Sequence, residues 1–268
     1  MLKTISRLAG SFAQSNFSRK FIPFYASFFQ IALEDAEKPL GDFKHLTDFF
    51  TRALKPGLRP IFPEPNAIVS PVDGRVSQFG EIKNGMLIQA KGVDYKLTDL
   101  LGGDTTKAER FLGGTFLTIY LSPKDYHRIH TPLAGKLTDY AYIPGSLFPV
   151  NNIGVKNVKG LFARNERIIT YMDTTAGEIA VIKVGATIVG SVRVVYDTNL
   201  TTNVKGAAIG GKIKNSPVLT KGAELGHFAF GSTVILLFEA GKVKLNLDLK
   251  EQDVVRMGEK IGEVNQAV

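Results

Sequence analysis

Apolar positions along the chain follow two regimes that meet near residue 60. Before that point Phe17, Phe21, Phe24, Tyr25 and Phe28 step by four, three, one and three, a spacing that gathers them on one face of a helix. Pro23 interrupts the run and predicts two short helices or a kink rather than one rod. Asp42 to Leu54 carries Phe43, Leu46, Phe49, Phe50 and Leu54 at helical spacing, and Pro56–Gly57 ends it. From Ile68 onward the texture is β. Thr115–Leu121, Ile179–Val184, Thr187–Val195 and Thr233–Phe238 are rich in β-branched and aromatic residues, with glycine-containing turns between them. Leu97–Leu101 is the best short helical candidate in this part. The fold class expected is mainly β with N-terminal α-helices (α+β): a helical segment over 1–60, then a compact β-sandwich or barrel-like domain over 61–268.

Two internal echoes refine that expectation. Pro71-x-x-Gly74 recurs as Pro132-x-x-Gly135, and Gly222-x-x-Leu225-Gly226 recurs as Gly258-x-x-Ile261-Gly262. Such pieces are similar to the turns of lipoyl-type β-sandwiches.

Charge changes the picture of the helical segment. The chain has 268 residues with 33 basic and 25 acidic side chains, a net charge of +8. Such a surplus favours a polyanionic partner, either nucleic acid or an anionic membrane surface. Lys3, Arg7, Arg19 and Lys20 precede the first acid, Glu34, and flank the phenylalanine cluster. That arrangement fits a helix lying in a lipid interface as well as one packed on its own core. No recognised nucleic-acid module is present, and beyond the N-terminus the basic residues are dispersed. No segment reaches the roughly 20 apolar residues of a spanning helix, and a cleaved secretory signal is not expected from the first residues. The chain has no cysteine, which excludes disulfides, thiolate metal sites and cysteine nucleophiles.

Three strings hold candidate chemistry. Ser122 to Pro132 crowds His127, His130, Asp125 and Arg128 into a loop after a predicted strand, where catalytic groups commonly sit. There is no H-E-x-x-H motif and no obvious third ligand, so no metal is expected. Ser70-Pro71-Val72-Asp73-Gly74 taken alone is an ordinary tight turn. Phe230-Gly231-Ser232-Thr233 opens the apolar run Val234–Phe238, and it too serves as a simple turn unless Ser232 attacks the Gly231 carbonyl, which an unsubstituted Cα leaves approachable. Asp73, His130 and Ser232 supply an orienter, a base and a nucleophile; their separation along the chain says nothing of proximity. His45 and His227 read as packing or surface residues, on the third helix and in a turn respectively.

These strings, in order, resemble those of the phosphatidylserine decarboxylases over nearly the whole chain: FFTRALKPGLR (49–59), PVDGRV (71–76), IQAKG (88–92) and YLSPKDYHRIH (120–130), then PGSLFPVN (144–151), NVKGLFARNER (157–167), VGATIVGSV (184–192) and KGAELGHFAFGSTVILLF (221–238). The family's self-cleavage motif usually reads Leu-Gly-Ser-Thr; here Phe230 stands in place of the leucine. The resemblance implies that Asp73, His130 and Ser232 form a self-processing triad and that the chain is cut at Gly231–Ser232 into a large chain, 1–231, and a small chain, 232–268. Ser232 attacks the Gly231 carbonyl and turns the amide into an ester. β-Elimination then leaves dehydroalanine at 232, and hydrolysis of its imine form gives a pyruvoyl group with loss of ammonia. That cofactor forms a Schiff base with the amine of phosphatidylserine and accepts electron density as carbon dioxide leaves. His127 is implied in this decarboxylation half, as proton donor or as positioner of the carboxylate.

The same resemblance makes the N-terminal segment a peripheral attachment to an anionic membrane surface, on the cytoplasmic face, and a homodimer an expectation. Rival readings remain. A serine hydrolase would use the same three residues, without a G-x-S-x-G elbow. A soluble pyruvoyl amino-acid decarboxylase would not need the interfacial N-terminus. A non-enzymatic lipoyl-like module would leave His127 and His130 without a role.

Overall fold

The apolar run after Gly231 becomes the strand around which the chain is organised. In the computed structural model, which describes residues 2–90, 93–187, 191–203, 206–229 and 232–265, Ser232–Phe238 lies antiparallel between Thr115–Leu121 and Gly177–Val184. All seven of its residues are buried. Phe230 and Gly231, the side chains of Lys3 and Arg7, and residues 188–190 fall outside the described residues.

The main sheet continues outward on both sides. Its order is Ile209–Lys212, Gly135–Ile143, Arg167–Thr174, Gly177–Val184, Ser232–Phe238, Thr115–Leu121, Gly74–Glu81 and Val254–Val255, with Val218–Leu219 added beside Gly135–Ile143. The sheet is open; among the described residues no barrel closes.

Strand alternation then sorts the apolar side chains to two faces. Val234, Leu236 and Phe238 point into a core shared with Ile129, Val192, Leu225, Phe228 and Ile261 from two smaller three-stranded sheets. Ile235 and Leu237 point the other way, into a core with Leu100, Phe111, Leu161 and Phe162 from short helices. A strand covered on both faces reads as a continuous apolar run rather than an alternating one, which is what Val234–Phe238 shows. Burying these five side chains stabilises the fold by about 2 kcal/mol each before the entropy of ordering is counted.

The predicted elements largely form. Helices occupy Leu2–Ala13 and Ile22–Phe29, the latter with Pro23 in its first turn, and a third runs Leu46–Phe50. Leu97–Leu100 is helical as expected. Ala13, Ile22, Ala26, Phe43, Leu46 and Phe49 form a separate small core among the N-terminal helices. Of the stretch Thr187–Val195, residues 188–190 lie outside the described residues; among the described ones Val192–Val194 is strand, and the Thr187 hydroxyl donates to the Leu147 carbonyl at 2.5 Å. His227 departs from expectation, lying in strand Glu224–Phe228 and not in a turn.

The sequence echo of Gly222 and Gly258 has a shared conformational cause. Both residues take positive φ, +80° and +91°, in turns before the strands Glu224–Phe228 and Lys260–Val264. A Cβ at either would strike Ile61 or the Pro60 backbone, so both turns need glycine for their angle and for the close passage of residues 60–61.

Candidate active site

The main sheet places Ser232 opposite Leu121, at the point where the neighbouring strand ends and the histidine-bearing loop begins. A tight turn reverses that loop. The backbone N–H and the hydroxyl of Ser122 both donate to Asp125 Oδ2 at 2.7 Å. Beyond the turn, Arg128–His130 pairs with Glu224–Phe228, the strand that leads towards residue 232. His127 accepts from Phe228 N at 3.0 Å through its carbonyl, and His130 N donates to Pro71 O at 2.8 Å. The loop, the Pro71–Gly74 turn and the segment before Ser232 are thus tied together by backbone bonds.

Ser232 is fully buried, and its Oγ has no hydrogen-bond partner among the described residues. Leaving such a hydroxyl unsatisfied costs about 1–3 kcal/mol. Gly231, the other half of the expected scissile bond, lies outside the described residues.

His130 is held at both ring nitrogens. Nδ1 lies 2.8 Å from the Gly222 carbonyl oxygen and Nε2 lies 3.1 Å from the Tyr126 hydroxyl. A carbonyl only accepts, so Nδ1 carries the proton and Nε2 presents its lone pair to the Tyr126 O–H. Burial pushes the His130 pKa down. The Gly222 carbonyl and the charges of Glu224 and Asp73 oppose that shift, while Arg128 adds to it. Its resting form is the neutral imidazole, the form a general base needs.

Asp73 has different partners. Arg59 grips it as a fork, Nε to Oδ1 at 2.8 Å and Nη2 to Oδ2 at 2.5 Å, and the Met257 N–H donates to Oδ1 at 2.9 Å. Asp73 acts on His130 through charge, and no hydrogen bond among the described residues joins Asp73, His130 and Ser232 to one another. Asp73 and His130 thus each have partners of their own, and the Ser232 hydroxyl has none among the described residues.

His127 is also fully buried. Its Nδ1 donates to the Asp125 carbonyl at 2.7 Å and its ring lies 4.0 Å from that of Phe50. Nε2 has no partner among the described residues. Desolvation above all pushes its pKa down to about 3, and the Arg52 charge adds to the effect. His127 therefore rests as a neutral imidazole with an open acceptor.

Other residues of the site stood outside the expected triad. Arg59 falls in the FFTRALKPGLR string and Tyr126 in YLSPKDYHRIH, so their strings were visible but not their contacts. Arg52 is buried over the Phe49 ring and donates to the Lys124 carbonyl at 3.1 Å. His45 caps the third helix, Nδ1 accepting from Asp48 N at 3.0 Å.

The site adjoins an apolar cavity of about 370 Å³ lined by Phe12, Tyr25 and Phe29 on one side and Tyr120, Val150 and Thr187 on the other. Tyr120, one of these lining residues, lies opposite Thr233 of the central strand. On the outside of those helices Phe17, Phe21, Phe24 and Phe28 are exposed, the last two at 69% each, and the Lys20 ammonium sits over the Phe17 ring. Among the described residues no helix is long and apolar enough to cross a membrane, and no group of three metal-ligating side chains converges.

Comparison with known proteins agrees on one family. A model of the phosphatidylserine decarboxylase family matches residues 46–263. A phosphatidylserine decarboxylase proenzyme of Brevibacillus brevis is 49% identical over 257 residues, covering 95% of this chain and 91% of the relative. Proteins of the same description from Myxococcus xanthus and Saccharophagus degradans are 48% and 46% identical, covering 89% and 97% of this chain and 84% and 92% of their own lengths.

Proposed function

The chain belongs to the phosphatidylserine decarboxylase family of carboxy-lyases, and from that membership we propose that it converts phosphatidylserine to phosphatidylethanolamine and carbon dioxide, using a pyruvoyl group made from Ser232 by self-cleavage at Gly231–Ser232. The observation that carries this reading is the Ser232 hydroxyl, fully buried at the head of the central strand and without a partner among the described residues. A serine kept there against the cost of desolvation fits a residue destined to react, and conversion to a pyruvoyl group removes the orphan hydroxyl.

His130 takes the Ser232 proton as Oγ attacks the Gly231 carbonyl carbon. The amide C–N bond breaks, the nitrogen leaves protonated, and an ester joins Gly231 to Oγ. Loss of the Ser232 α-proton then breaks the Cβ–Oγ bond and releases the Gly231 carboxylate. Asp73, neutralised in part by Arg59, contributes negative charge that favours the imidazolium of His130 while it holds the proton. A pyruvoyl group at 232 supplies an electrophilic carbonyl and an electron sink for the electrons that carbon dioxide leaves behind. His127 offers an unpartnered acceptor nitrogen, among the described residues, in a dry setting. It is suited to orienting the substrate's protonated amine or a water, and it gains a proton only against strong desolvation.

We assign residues 1–60 as the membrane-associating segment and 61–268 as the catalytic domain. The exposed phenylalanines with Arg19 and Lys20 suit a peripheral attachment to the anionic cytoplasmic face of a membrane. The apolar cavity beside those helices, lined also by Tyr120 of the strand next to Ser232–Phe238, suits the acyl chains of a diacyl substrate.

Intact mass of the wild type beside Ser232→Ala tests the proposal. Two fragments broken at Gly231–Ser232, the smaller bearing a pyruvoyl terminus, are expected of the wild type and one full chain of the variant. Two uncut chains reject it, and labelling of Ser232 by a serine-directed inhibitor then favours the hydrolase.

A further inference from the structure

The base expected to activate Ser232 does not rest on Ser232. It is held between the Gly222 carbonyl at Nδ1 and the Tyr126 hydroxyl at Nε2, with the Tyr126 ring stacked against the imidazole at 29° and 5.6 Å between centroids. Tyr126 is itself buried, and burial above all raises its pKa to about 12, so at neutral pH it is a hydroxyl able to donate. The neutral imidazole has one in-plane lone pair, and here it points at Tyr126. Ring orientation and tautomer are thereby set together, since Nδ1 is committed to an acceptor that has no proton to give.

We propose that Tyr126 is a positioning residue for self-cleavage: its hydroxyl, working against the Gly222 carbonyl, holds His130 in the Nδ1–H tautomer with Nε2 poised as the proton acceptor for Ser232. This rests on the self-cleavage reading above. No covalent step passes through Tyr126. When Nε2 turns to Ser232 the Tyr126 O–H is released to the developing charge, and the Ser232 proton ends on Nε2.

The arrangement makes a prediction that packing alone does not. A donor to Nε2 favours the neutral imidazole, so its loss raises the His130 pKa. The other groups acting on that ring are Glu224 and Asp73, whose charges raise its pKa, and Arg128, which lowers it. All three remain in a Tyr126→Phe variant, which keeps the ring stack and removes only the hydroxyl.

The test follows self-cleavage of freshly translated chain by mass over a range of pH, for wild type and Tyr126→Phe. Cleavage about ten- to a hundredfold slower in the variant, with the acid limb of its rate profile moved to higher pH, is expected. A companion measurement uses Ser232→Ala, which stays whole. Its ¹⁵N imidazole shifts for His130 should report a protonated Nδ1 and a bare Nε2, and adding Tyr126→Phe should mix the tautomers. Cleavage as fast as wild type, or faster, with an unmoved acid limb overturns the proposal. A bare Nδ1 in the Ser232→Ala protein overturns it independently of any rate. If wild type itself never cleaves, the self-cleavage reading fails first, which the same mass spectra distinguish.

Discussion

Lys183 is fully buried in the strand Gly177–Val184 and lies opposite Val234 of the central strand. Its Nζ donates to Thr170 Oγ1 at 2.5 Å and to the Val181 carbonyl at 3.1 Å, and no carboxylate pairs with it among the described residues. Desolvation alone places its pKa well below the ordinary 10.5. The folded lysine is thus the weaker base and the unfolded one the stronger. Above 10.5 neither form binds a proton and there is no penalty. As pH falls below 10.5 the unfolded chain binds a proton that the folded chain does not. Stability then drops by about 1.4 kcal/mol per pH unit until the folded pKa is reached. Replacing Lys183 by Met removes this dependence and nearly conserves volume, while Thr170 keeps its bond to the Tyr196 hydroxyl at 2.7 Å. The comparison belongs in a Ser232→Ala background, where one chain unfolds and two-state analysis applies. Urea unfolding followed by circular dichroism at pH 7.5, 8.5 and 9.5 (about one unit apart, to resolve the slope) should show Lys183→Met more stable at the lowest pH. That advantage should shrink as the pH rises, by at most about 1.4 kcal/mol per pH unit. A difference between the two proteins that stays constant with pH would refute the reasoning, since it would mean that Lys183 stays protonated in the fold.

Two further outcomes follow from the same packing. Phe24 and Phe28 are mostly exposed and stack on each other at 6.1 Å, so changing both to Ser should weaken co-sedimentation with phosphatidylserine-containing vesicles roughly 100-fold while leaving the circular dichroism spectrum unchanged; undiminished vesicle binding would remove these side chains from the membrane contact. The fragments 1–231 and 232–268 should co-elute in native gel filtration, held by the buried strand Ser232–Phe238, and Leu236→Ala should lower the denaturant concentration that releases the small one by the equivalent of about 2–5 kcal/mol. Separation in plain buffer would show that the strand does not hold the pieces.

Much of the architecture was legible because each element declares its period. The run Val234–Phe238 reads as a doubly covered strand and forms one. Phe17, Phe21, Phe24 and Phe28, at three- and four-residue spacing, fall on a 3-10 turn over Asn16–Phe21 and the helix Ile22–Phe29, and all four are exposed, a choice that spacing cannot make. For Thr187–Val195 the described residues bear out strand at Val192–Val194, while Thr187 bonds through its hydroxyl to the Leu147 carbonyl, a contact that a β-branched pattern does not announce. Asp73, His130 and Ser232 were nameable from their strings, but their partners were not. Arg59 reaches Asp73 across 14 positions and Gly222 reaches His130 across 92, and contacts at such separations leave no periodic trace in a single sequence. Gln89, in the IQAKG string, is a further case. Its amide donates to the carbonyls of Val155 and Val158 and accepts from Leu161 N, clamping two helices whose link to that strand no spacing announces.

The partners of the base also bear on what a cut after residue 231 would disturb. Tyr126, Gly222 and Pro71, which together hold the side chain and backbone of His130, all belong to the segment before the cut. Asp73 belongs there too, but its Oδ1 accepts from the Met257 N–H, which lies in the segment after it. Breaking the chain between 231 and 232 therefore leaves the imidazole with every hydrogen bond it had. It would also leave the small fragment anchored in the sheets through Ser232–Phe238, Val254–Val255 and Lys260–Val264, and at Asp73 through Met257. A base whose supports all lie upstream of residue 231 would keep its tautomer and orientation after the proposed cut. Arg59 belongs to this logic as well: by neutralising Asp73 in part, it leaves a carboxylate whose charge would steady a transient imidazolium, while the resting ring stays neutral with its proton on Nδ1.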